Sequence, residues 1–273
     1  MLQSFREVLG KGKSTITDSS ITKEYTCKGC NSQVKEFTTV IALGPMAGEK
    51  VTSKIGCNCK LYEQIKQEQK EADKARMKRI FDDNSLINKS LKKANFKNFE
   101  QDRFPVAYKT AADYVRNFDL ADPANLFFQG PFGTGKSHLS VSISKALVAL
   151  GYSSIFISLP RLYTKIRSTY NKDSEMAEDQ LMQALFKVDL LVLDDIGAEG
   201  ETKGWSIGKA FEIIDQRSGK HNIYTTNLSS DDFESSRDTA RLFSRIMENT
   251  EPVIMNGTDY RKRRFLKAGE QHV

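Results

Sequence analysis

The run GPFGTGKS, at residues 130–137, restricts the fold of this 273-residue chain more than any other stretch. It follows the apolar segment NLFFQ and leads into KSHLSVSISKALVAL, a run suited to a helix. Glycine lets a backbone turn tightly around a bound anion, and the N–H groups that begin a helix supply partial positive charge. A strand, a glycine-rich loop and a helix in this order predict a phosphate-binding loop.

The residue types of this loop predict a nucleoside triphosphate with Mg²⁺ as the ligand. Lys136 is expected to reach the β- and γ-phosphates, and the Ser137 hydroxyl is expected to ligate Mg²⁺. The alternative is an ordinary glycine turn between a strand and a helix. The predicted nucleotide-binding residues are Gly130, Pro131, Phe132, Gly133, Thr134, Gly135, Lys136, Ser137 and His138.

Apolar strand-like segments alternate with helical patterns from about residue 95 onward. This alternation predicts an α/β domain with a parallel sheet flanked by helices. Strands are expected at 125–129, 153–159, 189–196, 222–227 and 252–256. Helices are expected near 136–150, 161–171, 177–187, 205–217 and 238–249.

Acidic and amide side chains end two of these predicted strands. In LLVLDDIGAE, Asp194 is the candidate Mg²⁺ ligand, because a carboxylate at the carboxyl edge of a strand can face the phosphate loop. Asp195 stands where a longer acid often polarises the attacking water. Asn227 ends NIYTTN, and two interpretations of it stay open: it lies near the γ-phosphate, or it caps a helix that begins in LSSDDF.

The four cysteines of the chain, Cys27, Cys30, Cys57 and Cys59, all lie near its start. Their spacing predicts a structural tetrahedral Zn²⁺ site with four thiolate ligands, because the three histidines lie elsewhere in the sequence. The alternatives are free thiols or a redox pair, and the lack of a βαβ pattern around CKGC disfavours a thioredoxin-like site.

The same part of the chain predicts a small separate domain. Residues 33–43 and 49–57 alternate like two strands joined by the turn GPMAGE. Residues 60–82 are rich in charge and lack Gly and Pro, which favours an exposed helix. The expected organisation is a zinc-binding domain at 1–59, a helical linker at 60–94 and an ATPase domain at 95–273.

Charge and hydropathy restrict the partners further. The net charge is +6 and the mean hydropathy is −0.49, and this mild basic excess suggests contact with a polyanion. No apolar run approaches the roughly 20 residues that a membrane span requires. The first residues also lack the apolar segment of a secretory signal. We therefore expect a cytoplasmic protein without a membrane partner.

In order and spacing, the motifs of residues 90–265 resemble those of the DnaC/DnaI-type replicative helicase loaders. These loaders are AAA+ ATPases, and the IstB-type transposition helper ATPases are their relatives. The segments that carry the resemblance are the phosphate loop, LVLDDIGAE, IYTTNLS, RLFSRI and DYRKR, with LKKANFKNFEQ ahead of them.

The resemblance implies roles for individual residues. The phosphate loop would be Walker A, and Asp194 with Asp195 would be Walker B. Asn227 would be sensor 1, and Arg245 would be an arginine finger that acts on the ATP of a neighbouring subunit. The remaining implied residues are Arg261 as sensor 2, Arg241 as a second arginine candidate, and Phe96 and Phe99 beside the adenine.

The resemblance also implies a hexameric replicative helicase, single-stranded DNA and further copies of the same chain as partners, with ATP, Mg²⁺ and Zn²⁺ as cofactors. Two other functions remain possible from the sequence. One is a transposition helper ATPase that acts on target DNA, and the other is a nucleotide-dependent adaptor that occupies a helicase without loading it.

Overall fold

The computed structural model describes residues 20–41, 45, 47–170, 178–198, 203–260 and 262. The chain divides into two compact units, residues 1–69 and 70–273. The strands are β1 (Ser20–Thr26), β2 (Gln33–Val40), β3 (Lys50–Ile55), β4 (Asn125–Gln129), β5 (Ser154–Ser158), β6 (Leu190–Ile196), β7 (His221–Thr226) and β8 (Thr250–Ile254). The α-helices are α1 (Cys59–Asn84), α2 (Pro105–Arg116), α3 (Lys136–Leu150), α4 (Leu159–Ser168), α5 (Glu178–Lys187), α6 (Lys203–Gln216), α7 (Ser230–Glu234) and α8 (Arg237–Met247).

The first unit contains an antiparallel sheet in the order β1-β2-β3. The sequence predicted β2 and β3 but not β1, which pairs with β2 through an irregular register near Ile21. Among the described residues of this unit, Val34 is the only buried side chain. So small an apolar core contributes little to the stability of the sheet.

Helix α1 extends over 26 residues, close to the predicted 60–82. Its charged composition leaves Leu61, Tyr62 and Ile65 exposed in the first unit. Toward its end the apolar residues become frequent enough to pack. Phe81 is buried in the core of the second unit, where Ile80 also packs.

The second unit is built on a parallel five-stranded sheet in the order β5-β6-β7-β4-β8. Successive residues of a strand point to opposite faces, so apolar runs in the central strands bury both faces of the sheet. In β4, Phe127 faces the side covered by α4, α5, α6 and α8, while Leu126 and Phe128 face the side covered by α2 and α3. The predicted α/β fold with a parallel sheet flanked by helices is confirmed.

Several elements of this unit differ from the sequence prediction, and helix α4 spans Leu159–Ser168 rather than 161–171. Strand β8 begins at Thr250 rather than 252, because its pairing with β4 starts at Asn125 opposite Thr250. Helix α2 was not predicted, although a proline at its first turn and the buried Ala107 and Ala111, four residues apart, are helix signals. Within the described residues, no helix has the length and apolar character to cross a membrane.

Candidate nucleotide site

The phosphate loop joins the carboxyl end of β4 to the start of α3, as the motif requires. Gly135 has φ +102° and is the N-cap of α3. Gly130 has φ +150°, and a Cβ built there would lie 2.3 Å from the Met255 carbonyl oxygen. A side chain at either position would therefore be strained or would collide with the segment after β8.

The ammonium group of Lys136 lies inside this loop and is almost fully buried. Its Nζ donates to the carbonyl oxygens of Gly130 at 2.6 Å and Pro131 at 2.8 Å, and to Oδ1 of Asn227 at 2.7 Å. The loop therefore holds its cation at the place where P-loop proteins bind the phosphates of a nucleotide.

Asp194 lies near this lysine, and its neighbour Asp195 has different surroundings. Asp194 is buried within β6, and the Thr225 hydroxyl donates to its Oδ1 at 2.7 Å. Burial raises the pKa of Asp194 to about 6, and the charge of Asp195 adds to the rise. Hydrogen bonds from Thr225 and Ser137 oppose this rise in the pKa. Asp195 is more exposed and has φ +59°.

The surroundings of Asp194 fit a magnesium ion. The Ser137 side chain is close enough to lower the pKa of Asp194, so both predicted Mg²⁺ ligands lie in the same part of the site. Both groups are hard oxygen donors, and Mg²⁺ in nucleotide sites binds few protein oxygens and takes its other ligands from phosphates and water. Asp194 and Ser137 are thus the residues that would hold the ion.

Asn227 follows the last residue of β7 and reaches the loop through its bond to Lys136. The alternative was that Asn227 caps the next helix, but the N-cap of α7 is Ser229, whose Oγ accepts from the Asp232 N–H. The placement of Asn227 beside Lys136 suits the role of a phosphate sensor, which stays a prediction.

An aromatic cluster lies at the start of α3. A Cβ built on Gly135 would lie 2.8 Å from Cε2 of Phe99, whose ring meets the His138 ring edge to face at 5.4 Å. The Nε2 atom of His138 lies 3.0 Å from the Asn95 carbonyl oxygen. Phe96 contacts the same cluster through Tyr108. These residues form an apolar wall beside the loop, on which a base could stack.

The sequence motifs were not interpreted as placing the segment at Asp259 and Tyr260 against the loop, which it contacts. The Tyr260 N–H donates to the Gly133 carbonyl at 3.0 Å, and a Cβ on Gly133 would lie 1.8 Å from Oδ1 of Asp259. The motif DYRKR could have indicated this contact, but its interpretation rested on Arg261 alone. Arg261 lies outside the described residues.

Arg245 lies far from the loop of its own chain. It pairs with Asp215 and Glu248, both at 2.9 Å, and these carboxylates raise its pKa. It lines a groove with Asn125 and Asn222, at the amino ends of β4 and β7. The phosphate loop follows the other end of β4, about 17 Å away for a five-residue strand.

The second arginine candidate lies on the same helix, α8. The guanidinium carbon of Arg241 lies 5.2 Å from the centre of the Phe211 ring, and both side chains line an open groove with Arg245. Neither arginine joins Lys136 and Asp194 within one chain. Either could reach a nucleotide only across a contact between two chains.

The four cysteines converge in the first unit. Cys27 and Cys30 lie in the turn after β1, and Cys57 and Cys59 lie where β3 leads into α1. Their four Sγ atoms lie within 4.8 Å of one another. A tetrahedral zinc with Zn–S bonds of about 2.3 Å separates its sulfur atoms by about 3.8 Å, so the cluster fits a zinc ion.

The spacing of the individual sulfur atoms agrees with that geometry. Cys27 and Cys57 are 3.3 Å apart, Cys30 and Cys57 3.5 Å, and Cys27 and Cys59 3.8 Å. Hydrogen bonds from Ser32 lower the pKa of Cys30 to about 6, whereas the neighbouring thiols raise the pKa of Cys59.

The fold and the loop define a P-loop domain of the AAA+ fold class, and comparison with known proteins narrows this class to a family. Residues 41–268 match the family model described as "IstB-like ATP binding protein". The chain belongs to this family. The resemblance to DnaC/DnaI-type proteins drawn from the motifs is confirmed.

Individual relatives agree with the family. The chain is 33% identical over 162 residues to the "Replicative helicase loader DnaC" of Escherichia coli (strain K12), which covers 58% of this chain and 64% of that protein. The chain therefore spans just under two thirds of the length of the curated relative. A crystal structure of the DnaC helicase loader superposes with a TM-score of 0.52 and 26% identity, over 62% of this chain and 99% of that one. A crystal structure of DnaI, at 21% identity and a TM-score of 0.53 over 64% of this chain and 95% of that one, supports the fold alone.

Proposed function

We propose that this protein is an ATP-dependent loader of a replicative DNA helicase onto single-stranded DNA, acting in the cytoplasm. The observation that carries the ATP-dependent part is the meeting of Lys136, Asp194 and Asn227 at one edge of the sheet. The loading part is supported by the similarity to proteins named replicative helicase loaders.

In this proposal each residue of the site has a separate task. Lys136 exchanges its bonds to loop carbonyls for the β- and γ-phosphates and neutralises them. Ser137 and Asp194 hold Mg²⁺, which supplies positive charge to the transferring phosphoryl group. Asp195 orients the attacking water, and Asn227 contacts the γ-phosphate. Phe99 and His138 bound the site on the side of the base.

The proposal includes self-association. Arg245 completes the site of a neighbouring copy, which its distance from its own loop supports. Hydrolysis by one copy alone is therefore weak, and nucleotide binding acts as a switch. Arg261, as sensor 2, remains part of the proposal through the family resemblance.

The proposal assigns the first unit to the helicase. Cys27, Cys30, Cys57 and Cys59 bind a structural Zn²⁺ that holds the small sheet together, because the sheet buries so little apolar surface. The zinc-binding domain at 1–59 contacts the helicase, and residues 60–94 tether it to the ATPase domain at 95–273.

The test is a loading assay with a candidate replicative helicase on closed single-stranded DNA circles. Lys136→Ala is expected to abolish ATP-dependent loading. Lys109→Ala is the matched control, because Lys109 is an exposed lysine on α2 of the same unit. Equal loading by wild type and both variants would contradict the proposal.

The description of the family model favours a second candidate, a transposition helper ATPase. Such a protein acts on target DNA, so double-stranded DNA would stimulate its hydrolysis and a helicase would not. A third candidate, an adaptor that occupies the helicase, would bind the helicase in the presence of nucleotide but would not load it. Measuring ATP hydrolysis with each DNA form, beside the loading assay, separates the three.

A further inference from the structure

The pairing of β6 with β7 is irregular at the two acidic residues. Leu193 lies opposite Tyr224 and Ile196 lies opposite Thr226, so β6 advances three residues while β7 advances two. Asp194 and Asp195 therefore share one opposing residue, Thr225. An extra residue of this kind is a β-bulge, which breaks the regular hydrogen bonding and redirects side chains.

The side chain of Thr225 forms hydrogen bonds with both acidic residues at the bulge. Its Oγ1 donates to Oδ1 of Asp194 at 2.7 Å and accepts from the N–H of Asp195 at 3.0 Å. A hydroxyl has one proton to donate, so the bond to Asp194 fixes the orientation of that hydroxyl. Thr225 is fully buried, so bulk water does not compete for these bonds.

We propose that Thr225 is a positioning residue for the magnesium site. Its hydroxyl donates a hydrogen bond to one oxygen of the Asp194 carboxylate from the side of β7. This bond orients the carboxylate toward Ser137 and the phosphate loop. Through the bond to the Asp195 N–H, the same hydroxyl also fixes the backbone that presents the second acid. This inference rests on the proposed binding of ATP with Mg²⁺ and adds a residue to it.

The next residue of β7 offers a matched comparison. Thr226 is equally buried, and its Oγ1 also makes two bonds. It donates to the Ile196 carbonyl at 2.8 Å and accepts from the Leu228 N–H at 3.0 Å. Both bonds are to backbone atoms, so loss of the Thr226 hydroxyl weakens the strand without removing a bond to a carboxylate.

The affinity for ADP is measured by calorimetry, once with Mg²⁺ and once with EDTA. The affinity with Mg²⁺ divided by the affinity with EDTA is the magnesium increment. Thr225→Val keeps the branched shape and removes the hydroxyl. We expect it to reduce the increment about tenfold, the scale of one hydrogen bond to a charged group, while the affinity in EDTA stays within about twofold. Thr225→Ser should restore the increment, and Thr226→Val should retain it.

Melting temperatures of all variants, measured in EDTA, separate positioning from general damage to the strand. Thr225→Ala replaces Thr225→Val if the valine variant does not fold, with the same expectation. The assignment is overturned if the variants without the Thr225 hydroxyl retain the increment, if Thr225→Ser fails to restore it, or if Thr226→Val loses as much. A wild-type protein without any increment would overturn the proposed ATP–Mg²⁺ function, and this assignment with it.

Discussion

Asp195 adopts a backbone conformation that most side chains avoid, with φ +59°. Aspartate and asparagine tolerate this left-handed region better than other residues that carry a side chain. The substitution Asp195→Asn therefore preserves the backbone and removes only the charge that would act on the attacking water. We expect hydrolysis to fall about 100-fold or more while ATP affinity changes less than about threefold.

Measuring hydrolysis and nucleotide binding on the same preparations checks this prediction. Asp231→Asn is a suitable control, because Asp231 is exposed on α7. Hydrolysis at the wild-type rate by Asp195→Asn would show that the second acid has no part in catalysis.

Asp194 makes the stability of the metal-free protein depend on pH. Its pKa is about 6 in the folded chain, above the value of about 3.9 for an unfolded aspartate. The folded state thus binds the proton more tightly than the unfolded state. The stability that this group contributes is therefore greatest below about pH 4 and is lost as the pH rises through 6.

The charge-free substitution Asp194→Asn tests that dependence. In EDTA we expect its melting temperature to exceed that of the wild type at pH 8, where the buried carboxylate is charged, and the difference to shrink at pH 4.5. Thermal unfolding at the two pH values measures both differences. A difference that does not change with pH would contradict the raised pKa.

The strands around the site follow from the sequence more readily than the helices at its margin. Strand β4 has the predicted bounds, because NLFFQ is apolar and bounded by polar or turn residues. Helix α2 was missed because its buried face consists of the small residues Ala107 and Ala111, which give a weak apolar pattern. Strand β1 was missed because its residues are mostly polar and exposed.

The site itself was predictable as a set of residues but not as an arrangement. The motifs indicate Lys136, Ser137 and Asp194, because their chemical types and order are restrictive. The bulge that brings both acids against Thr225 depends on the register between two strands far apart in sequence. Sequence spacing within one strand does not reveal that register.

The prediction about assembly concerns Arg245 on helix α8. If Arg245 acts on the nucleotide of a neighbouring copy, Arg245→Ala and Lys136→Ala disable different partners of one composite site. Each variant alone is expected to lose hydrolysis, by about 1,000-fold for the arginine. A mixture of the two should regain part of the rate, because some contacts then pair an intact loop with an intact arginine.

The matched control for the mixing experiment is the double variant with both changes in one chain, mixed with either single variant. In either mixture no contact can join an intact Lys136 to an intact Arg245, so no recovery of hydrolysis is expected. Arg245→Ala itself should cost little stability, because its pairs with Asp215 and Glu248 are partly exposed. Failure of the variants to complement one another, with both folded and able to associate, would contradict action in trans.

At the scale of the whole molecule, the two units depend on different sources of stability. The second unit has an extensive apolar core on both faces of its sheet. In the described part of the first unit, Val34 is the only buried residue. The same unit contains the cluster of four thiols. We expect a zinc chelator to unfold the first unit and leave nucleotide binding by the second intact.

Hydrogen exchange, followed segment by segment, measures this difference directly. After chelation, residues 20–41 and 47–59 should lose protection while β4, β6 and β7 retain it. Cys57→Ser is expected to give the same pattern without a chelator, and metal analysis should find one zinc per wild-type chain. Unchanged protection of the first unit after removal of all metal would contradict a structural zinc.

We propose that this chain is an ATPase that acts on a replicative helicase. The most direct measurement is the mass of complexes formed when the full chain is mixed with a hexameric replicative helicase, with and without ATP. We expect a complex of the hexamer with several copies of this chain, and we expect Cys57→Ser to prevent its formation. If no complex forms in any nucleotide state, while double-stranded DNA stimulates hydrolysis, the loader proposal is wrong and the transposition-helper alternative is favoured.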